Sequence, residues 1–281
     1  MASASPKTLF DLPLEDILVD NVGKYLDLGD IYRFGKCSKV CKVLADSMAA
    51  TKTEFILINK CATYNILETQ FSDFISYIVE KCRQLKYITI FTYVWTYKNF
   101  LIELLKNNPQ VEIFCALNCE NQKHKDALPL VQLTTQKKLK NLVLMRFNLD
   151  DNFLIKLSEN NNQLREVNFS HCTGFSEDAL LKFLEKQPHL GYIDLTSCDI
   201  TDSDSLLSVI RNTCSKLEIL EITGIKGVTK DDISKIKENC PKIKIIDYDP
   251  FDSENENDSL SDISMSDQYD DTSMSDQDED I

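Results

Sequence analysis

The sequence of 281 residues lacks an apolar run long enough to cross a membrane. We also expect no secretory leader in residues 1–19, because Asp11, Glu15 and Asp16 interrupt their apolar positions. It contains no nucleophile elbow, phosphate-binding loop or paired Cys/His constellation. We therefore expect no membrane span, no catalysis within the chain, no cofactor and no metal site.

Basic residues are absent from residues 249–281, which we call the acidic tail. It holds 13 acidic residues, so it carries -13 of the total charge of -14. The tail has almost nothing to bury, and we expect it to be disordered. Five serines have an acidic residue three positions later, a pattern that resembles the sites of acidophilic kinases; these phosphorylation candidates are Ser253, Ser259, Ser264, Ser273 and Ser275.

The ten cysteines do not follow a disulfide framework. Most recur at fixed positions of a sequence repeat, and repeated positions indicate repeated packing roles. Free Cys behaves as a small buried hydrophobe, so the pattern favours a reducing compartment. Cys37 and Cys41, like Cys115 and Cys119, lack a second Cys/His pair at the spacing of a zinc site.

One six-residue motif, which we call the phrase, recurs seven times. Apolar residues occupy its first, fourth and sixth positions. The copies begin at Leu85, Val111, Leu139, Leu164, Leu190, Leu217 and Ile243. Successive copies are 26, 28, 25, 26, 27 and 26 residues apart. One such unit cannot bury its own apolar face, so we expect the copies to stack into a solenoid.

Between the phrases the apolar residues recur at helical spacing, as at Leu180, Phe183 and Leu184. Three hydroxyl residues are expected to cap helix starts: Ser176, Thr201 and Thr229. Each unit thus contains a strand and a helix.

In each unit a turn and a helix follow the strand, and an apolar residue such as Cys172 or Cys198 stands eight positions after the phrase begins. This order resembles the cysteine-containing leucine-rich repeats. The resemblance covers about residues 55–248. It implies an α/β fold, a leucine-rich-repeat solenoid of about seven to eight units within residues 51–248, with a curved parallel sheet and outer helices. The segment 55–58 is expected to be an irregular first unit.

Side chains between the phrase residues alternate away from the core, and we call the surface that they form the concave face. Its first three units are mainly apolar, whereas the later units carry a column of polar and acidic residues. An exposed apolar patch marks interaction sites, and carboxylates favour a basic partner. We expect loops to contribute, with Trp95 as one candidate. The candidate substrate-binding residues are Tyr87, Phe91, Trp95, Ile113, Leu117, Val143, Met145, Asn168, Tyr192, Asp194 and Glu221.

The segment 9–44 does not follow the repeat. Pro13 stands near a helix start, apolar residues follow it at helical spacing, and a second helical stretch runs from Asp30 to Leu44. The pattern Leu12-Pro13-x-Glu15-x-Ile17-Leu18, followed by Val22, Leu26, Asp30-Ile31 and Cys37-Ser38-Lys39, resembles the F-box.

The resemblance implies an F-box at residues 9–50, after a flexible N-terminus at 1–8, that docks on the Skp adaptor. The docking residues would be Leu12, Pro13, Leu14, Glu15, Ile17, Leu18, Val22 and Leu26. Alternatively, the helical hairpin only caps the open end of the solenoid.

Together the two resemblances imply the F-box and leucine-rich-repeat family: the substrate-recognition subunit of an SCF-type E3 ubiquitin ligase, joined through the Skp adaptor to a cullin-RING ligase. Its partner would be an unidentified protein substrate, with no nucleic acid and no membrane, and the chain would be a monomer outside the complex, in cytoplasm, nucleus or both. The alternative is a leucine-rich-repeat scaffold, similar to the acidic leucine-rich nuclear phosphoproteins, whose acidic tail binds basic proteins such as histones.

Overall fold

A computed structural model describes residues 15–58, 63–91, 98–117 and 129–248 of the chain. They belong to one compact unit, Met1–Phe251. Leu12, Pro13, Leu14, Trp95 and the five candidate phosphoserines lie outside the described residues.

The described residues form an eight-stranded parallel sheet in which each strand lies beside the next one in sequence. The strands are β1 (Glu54–Leu57), β2 (Tyr87–Ile90), β3 (Ile113–Leu117), β4 (Asn141–Met145), β5 (Glu166–Asn168), β6 (Tyr192–Asp194), β7 (Ile219–Glu221) and β8 (Ile245–Asp247). The α-helices are α1 (Leu28–Gly35), α2 (Lys39–Thr51), α3 (Phe71–Lys81), α4 (Lys98–Asn107), α5 (Asp151–Asn160), α6 (Glu177–Glu185), α7 (Ser203–Thr213) and α8 (Lys230–Asn239). The predicted α/β class, a leucine-rich-repeat solenoid, is confirmed.

The phrase residues form the core of the solenoid. Leu85, Ile88 and Ile90 are fully buried, and the same holds for the corresponding residues of the next five copies. In the last copy Ile243, Ile246 and Tyr248 are only partly buried, because no further described repeat covers them. The period of the sequence thus sets both the strands and the common core.

An eighth unit precedes the first phrase. Its strand β1 pairs with β2 in register, with Phe55 opposite Ile88 and Leu57 opposite Ile90. Phe55 and Leu57 are fully buried. The segment expected to be an irregular first unit therefore supplies a regular strand.

Two of the three expected helix caps are confirmed. The Ser176 hydroxyl accepts a hydrogen bond from the Ala179 amide at the start of α6, and Thr229 forms a capping box with Asp232 at α8. The third expectation is wrong, because Asp202 caps α7. The hydroxyl of Thr201 instead donates to the Glu177 carboxylate, 2.8 Å away.

Buried amide side chains connect successive repeats through the core. They lie three positions before a phrase begins, where other repeats have Cys82, Cys214 and Cys240. The Asn108 amide nitrogen donates to the Cys82 carbonyl oxygen at 3.0 Å, and the residues at this position in the next three repeats also donate to preceding repeats. The members of this set, which we call the amide ladder, are Asn108, Gln136, Asn161 and Gln187.

The N-terminal helical segment starts as a π-helix, Glu15–Val22, and continues through a 3-10 turn, Gly23–Tyr25, to α1 and α2. The single helical stretch expected from Asp30 to Leu44 is wrong, because α1 ends at Gly35 and α2 begins at Lys39. Ser38 causes the restart, since its hydroxyl accepts a hydrogen bond from the Cys41 amide, 3.1 Å away.

The described cysteines are free, and five of those at repeated positions are buried as expected. These five are Cys82, Cys172, Cys198, Cys214 and Cys240. The Cys172 and Cys198 thiols donate to the carbonyl oxygens of Leu144 and Phe169 in preceding repeats. Cys37 departs from the pattern because it is exposed.

Candidate protein-binding surfaces

The apolar half of the concave face lies on β2, β3 and β4. The strand register places Tyr87 opposite Ile113 and places Leu117 opposite Met145. Tyr87 is 40 % exposed, while Ile113, Leu117 and Met145 are half-buried. The structure thus brings the apolar candidates of three neighbouring strands together on one face.

Three more residues complete this apolar half. Val143 lies opposite Cys115, and Phe91 follows β2 directly. Phe91 is half-buried, and its amide donates to the Leu57 carbonyl oxygen at 2.8 Å. Burial raises the pKa of the Cys115 thiol to about 11, so the thiol is protonated at neutral pH and adds to the apolar character of this half.

The acidic half, on β5 to β7, differs from the expectation of an exposed column. Asn168 and Asp194 are buried. The Asn168 amide nitrogen donates to Asp194 Oδ2 at 2.6 Å, and the Thr196 amide donates to Asp194 Oδ1 at 2.9 Å. Asn168 Oδ1 accepts from the amide and the hydroxyl of Ser170. Short side chains on adjacent strands satisfy one another here, and the two residues are therefore withdrawn from solvent.

Glu221 and Tyr192 lie beside this bonded pair. Tyr192 stands opposite Ile219, and Asp194 stands opposite Glu221. Burial raises the pKa of the Glu221 carboxyl, and the neighbouring Asp194 carboxylate raises it further. Burial also raises the pKa of the Tyr192 hydroxyl, with Asp194 and Glu221 adding to the effect. Asp194 and Asp247 both act on Glu221, so the carboxylates that repel one another lie on β6, β7 and β8.

A second candidate surface belongs to the N-terminal helical segment. Four large apolar side chains are exposed there: Val22 by 40 %, Tyr25 by 81 %, Val40 by 49 % and Val43 by 62 %. Each pair is spaced three residues apart. Only nine large apolar residues are exposed in the part of the chain that the structure describes. Almost half of them therefore lie on this short segment.

The expected docking residues divide between this surface and the interior. Val22 is exposed, whereas Ile17 is half-buried, and Leu18 and Leu26 pack against the core. The backbone of Glu15 lies in the π-helix. Leu18 and Leu26 are thus partly buried, because the leading segment folds onto α2. Tyr25 and Val43 were not among the expected docking residues, and no periodicity distinguishes them from inward-facing apolar residues.

The leading segment is fastened to α2 through backbone groups. The Lys52 ammonium donates to the carbonyl oxygens of Gly23 and Leu26, at 2.9 and 2.5 Å. Gly23 packs closely, since a Cβ there would lie 2.8 Å from Met48 Cγ. Burial lowers the pKa of Lys52, although Asp27 opposes this effect. These contacts hold Val22 and Tyr25 in place on the outside.

The helical segment also packs tightly on the first repeat. The Arg33 guanidinium donates to the carbonyl oxygens of Tyr64 and Asn65, at 2.6 and 2.8 Å. A Cβ at Gly29 would lie only 2.3 Å from the Tyr64 carbonyl oxygen, so α1 can approach this loop only with glycine at that position. These contacts fix the angle between α1 and the first repeat.

No group of three or more His, Cys, Asp or Glu residues in the described ranges could hold a metal ion. Within the same ranges, no helix is both long and apolar enough to cross a membrane.

No protein-family model matches the chain. Among solved structures, an internalin from Listeria monocytogenes is 14 % identical with a TM-score of 0.43, covering 86 % of this chain and 80 % of its own. The leucine-rich-repeat-containing protein LegL7 from Legionella pneumophila is 11 % identical with a TM-score of 0.37, covering 67 % and 62 %. Leiomodin-1 actin-binding site 2 is 12 % identical with a TM-score of 0.31, covering 75 % and 90 %. Identities this low leave the partner to be argued from the residues of this chain.

Proposed function

We propose that this protein is the substrate-recognition subunit of an SCF-type ubiquitin ligase. The N-terminal helical segment docks on the Skp adaptor, and the concave face captures a protein substrate. The observation that carries the proposal is the concentration of exposed apolar side chains, Val22, Tyr25, Val40 and Val43, on a segment whose sequence resembles the F-box. Several exposed apolar side chains on one short segment favour a partner surface.

A simple cap does not require these side chains. Capping the first repeat is accomplished by α1 and α2, whose buried residues Ile31, Tyr32, Leu44 and Met48 join the common core. Val40 and Val43 lie on α2 but outside that core. A docked adaptor would cover them.

The fixed junction supports a receptor role as well. Besides the Arg33 contacts, the Lys81 ammonium of α3 lies 3.0 Å from the Asp46 carboxylate of α2. The ring of Tyr32 packs edge-on against Phe74, with centroids 5.4 Å apart. A substrate on the concave face is thereby held in a constant position relative to the docked adaptor. Ubiquitin transfer then gains its rate from proximity and needs no chemistry in this chain.

An adaptor pull-down tests the proposal. Full-length protein should retain purified Skp adaptor, and a double variant, Leu12→Ala with Pro13→Ala, should lose most of that retention. Ile155→Ala is the matched control, because Ile155 is exposed by 39 % on α5, far along the chain from the docking segment. If the double variant and the control retain the adaptor equally, the ligase assignment is wrong.

Capture of the substrate is a separate experiment. With residues 1–50 present but docking prevented by the Leu12 and Pro13 substitutions, a bound substrate should accumulate instead of being degraded. Crosslinking followed by mass spectrometry should then place substrate peptides beside Tyr87, Val143 or Met145. Crosslinks that are confined to the helices of the repeats would contradict the role of the concave face.

A further inference from the structure

The two edge strands of the sheet differ in whether side chains bond their outward backbone groups. At the first end, the outward backbone donors of β1 are occupied by side chains: the Ile56 amide donates to the Tyr64 hydroxyl at 3.0 Å, and the Ile58 amide donates to Thr63 Oγ1 at 3.1 Å. At the other end, β8 has no strand on its outer side among the described residues. An unpaired edge of this kind is a template for another strand.

The hydrogen bonds of β7 show which groups of β8 point outward. Toward β8, the Glu218 carbonyl oxygen accepts from the Lys244 amide at 2.8 Å, and the Ile222 amide donates to the Asp247 carbonyl oxygen at 2.8 Å. Backbone groups alternate sides along a strand. The carbonyl of Lys244 and both backbone groups of Ile246 therefore point away from β7.

The carbonyl at the position of Lys244 is used in the earlier repeats. The Gly191 carbonyl oxygen, for example, accepts from the amides of Glu218 and Ile219, at 2.8 and 3.0 Å. Carbonyl oxygens that accept in this way from the next strand are those of Lys86, Glu112, Lys140, Arg165, Gly191 and Glu218. Lys244 presents the same acceptor to whatever lies beyond β8, in a register that a ninth parallel strand would continue.

The end of the solenoid beside β8 also exposes an apolar surface, which we call the floor. A cleft of about 380 Å³ is lined by Ile233, Lys237, Ile243, Lys244, Ile246 and Tyr248. In the earlier repeats the residues that correspond to Ile243 and Ile246 are fully buried by the next unit. Here they are only partly buried, so apolar side chains arriving with an added strand would complete the core.

Lysines border this floor. Lys237 is exposed in the last turn of α8, and no carboxylate of the described residues lies within 4.0 Å of its ammonium. Lys242 is likewise exposed, and Lys244 is 2.6 Å from the Glu218 carboxylate. This border favours a negative charge beside the lysines, whereas Asp247 of β8, which is also exposed, disfavours one beside itself.

We propose that the outer edge of β8 binds an extended, acidic segment of another protein as a ninth parallel strand. The segment carries apolar residues at the spacing of the repeat phrase. The residue after the first of them is a carboxylate, which lies beside Lys244, and the residue between the second and the third is neutral, because it lies beside Asp247. Backbone bonds to Lys244 and Ile246 supply the register, the floor takes the apolar side chains, and Lys237 selects the charge. The site lies at the opposite end of the sheet from the helical segment, so it stands or falls independently of adaptor docking.

A labelled peptide, Glu-Leu-Asp-Glu-Leu-Asn-Leu-Glu, is the probe, and fluorescence anisotropy on the full-length chain is the measurement. We expect saturable binding of this peptide and at least about tenfold weaker binding of a scrambled peptide of the same composition. Ile246→Pro removes the outward amide without removing a bond to β7, and it should weaken binding by about tenfold.

Lys237→Glu is the second variant, since Ile246→Pro also changes a side chain that touches the core. It should weaken binding several-fold at low salt and less at high salt. Lys230→Glu, which has the same charge change on the first turn of α8, is the control and should leave the affinity unchanged. Thermal unfolding of all three variants reports whether the fold is intact.

Four results would overturn the proposal. The scrambled peptide could bind equally well, or Lys237→Glu could match Lys230→Glu. Binding that is seen only after residues 252–281 have been deleted would assign the edge to the chain's own acidic segment. Dimers of the full-length chain that dissociate on Ile246→Pro would assign it to a second copy.

Discussion

The side-chain amide of Gln187 lies in the core and donates a hydrogen bond to the carbonyl oxygen of Asn161, 2.6 Å away in the preceding repeat. Gln187 is fully buried. Its own backbone carbonyl accepts from the Cys214 thiol of the following repeat, at 3.8 Å. One residue thus joins three repeats, and polar groups hold the solenoid together along a line parallel to its apolar core.

Gln187→Ala should destabilise the fold. The substitution leaves the Asn161 carbonyl oxygen buried without this donor and opens a cavity, so we expect the free energy of unfolding to fall by about 2–4 kcal/mol. Urea denaturation measures the loss. Gln163→Ala is the control, because Gln163 is exposed, and it should change the value by less than about 0.5 kcal/mol. Equal effects of the two substitutions would contradict the role of the amide ladder.

Among the cysteines in the described ranges, Cys37 should react far faster than the buried ones. Cys37 is exposed. Burial raises the pKa of Cys198 to about 12, and it raises the pKa of Cys214 to about 12 as well. Because the thiolate is the reactive form, iodoacetamide should modify Cys37 in the native protein and modify Cys198 and Cys214 only after unfolding. Peptide mapping by mass spectrometry checks this. Fast native labelling of Cys198 would show that the repeat core is open.

Glu221 should make stability depend on pH. Its pKa is raised in the folded state. Its contribution to the stability of the fold is therefore fully present below the pKa of the unfolded chain, and it is lost as pH rises through the pKa of the folded state. Glu221→Gln keeps the shape and removes the charge. We expect it to raise the melting temperature more at pH 7 than at pH 4.

Glu218 should show the opposite dependence of stability on pH in the same experiment. A hydrogen bond and the charge of Lys244 lower its pKa. Its contribution to the stability of the fold is therefore present above the pKa of the unfolded chain, and it is lost as pH falls through the pKa of the folded state. Glu218→Gln should lower the melting temperature slightly at pH 7 and have less effect at pH 3. Parallel pH profiles for the two variants would contradict the opposite pKa shifts of Glu221 and Glu218.

Met145→Asp should weaken capture of the substrate by the concave face and leave adaptor binding unchanged. Met145 is half-buried on β4, beside Leu117 of β3, and a carboxylate there would be desolvated by a bound apolar surface. Val131→Asp is the matched control, since Val131 is 52 % exposed in the 3-10 segment Pro129–Thr135 and not on a strand. Substrate recovered equally with both variants, measured by quantitative mass spectrometry, would remove the apolar half from the binding site.

The sequence predicts most of the fold, because apolar residues reveal the periods of strands and helices directly. The phrase at Leu164, Val167 and Phe169, for instance, becomes buried strand β5 and its flanks. Polar residues are less informative. Gln187 and Asn161 look like surface residues in the sequence, and their burial depends on carbonyl groups of another repeat.

The binding surfaces are predictable only in part, for the same reason. Alternation along a strand places Asn168 and Asp194 on the concave face, but it does not reveal that their side chains bond to each other and become buried. Helical spacing groups Leu18 with Val22, yet only Val22 is exposed, because α2 covers one side of the leading segment. Contacts between elements decide these outcomes, and a single sequence does not contain them in readable form.

Calorimetric titration of the purified full-length chain with purified Skp adaptor tests the central claim most directly. A complex with a stoichiometry of one to one is predicted. Val40→Asp combined with Val43→Asp should weaken that complex by at least about tenfold, whereas Val131→Asp should leave it unchanged. The absence of a complex, or equal affinities for the double variant and the control, would contradict the assignment of this protein as a ligase receptor.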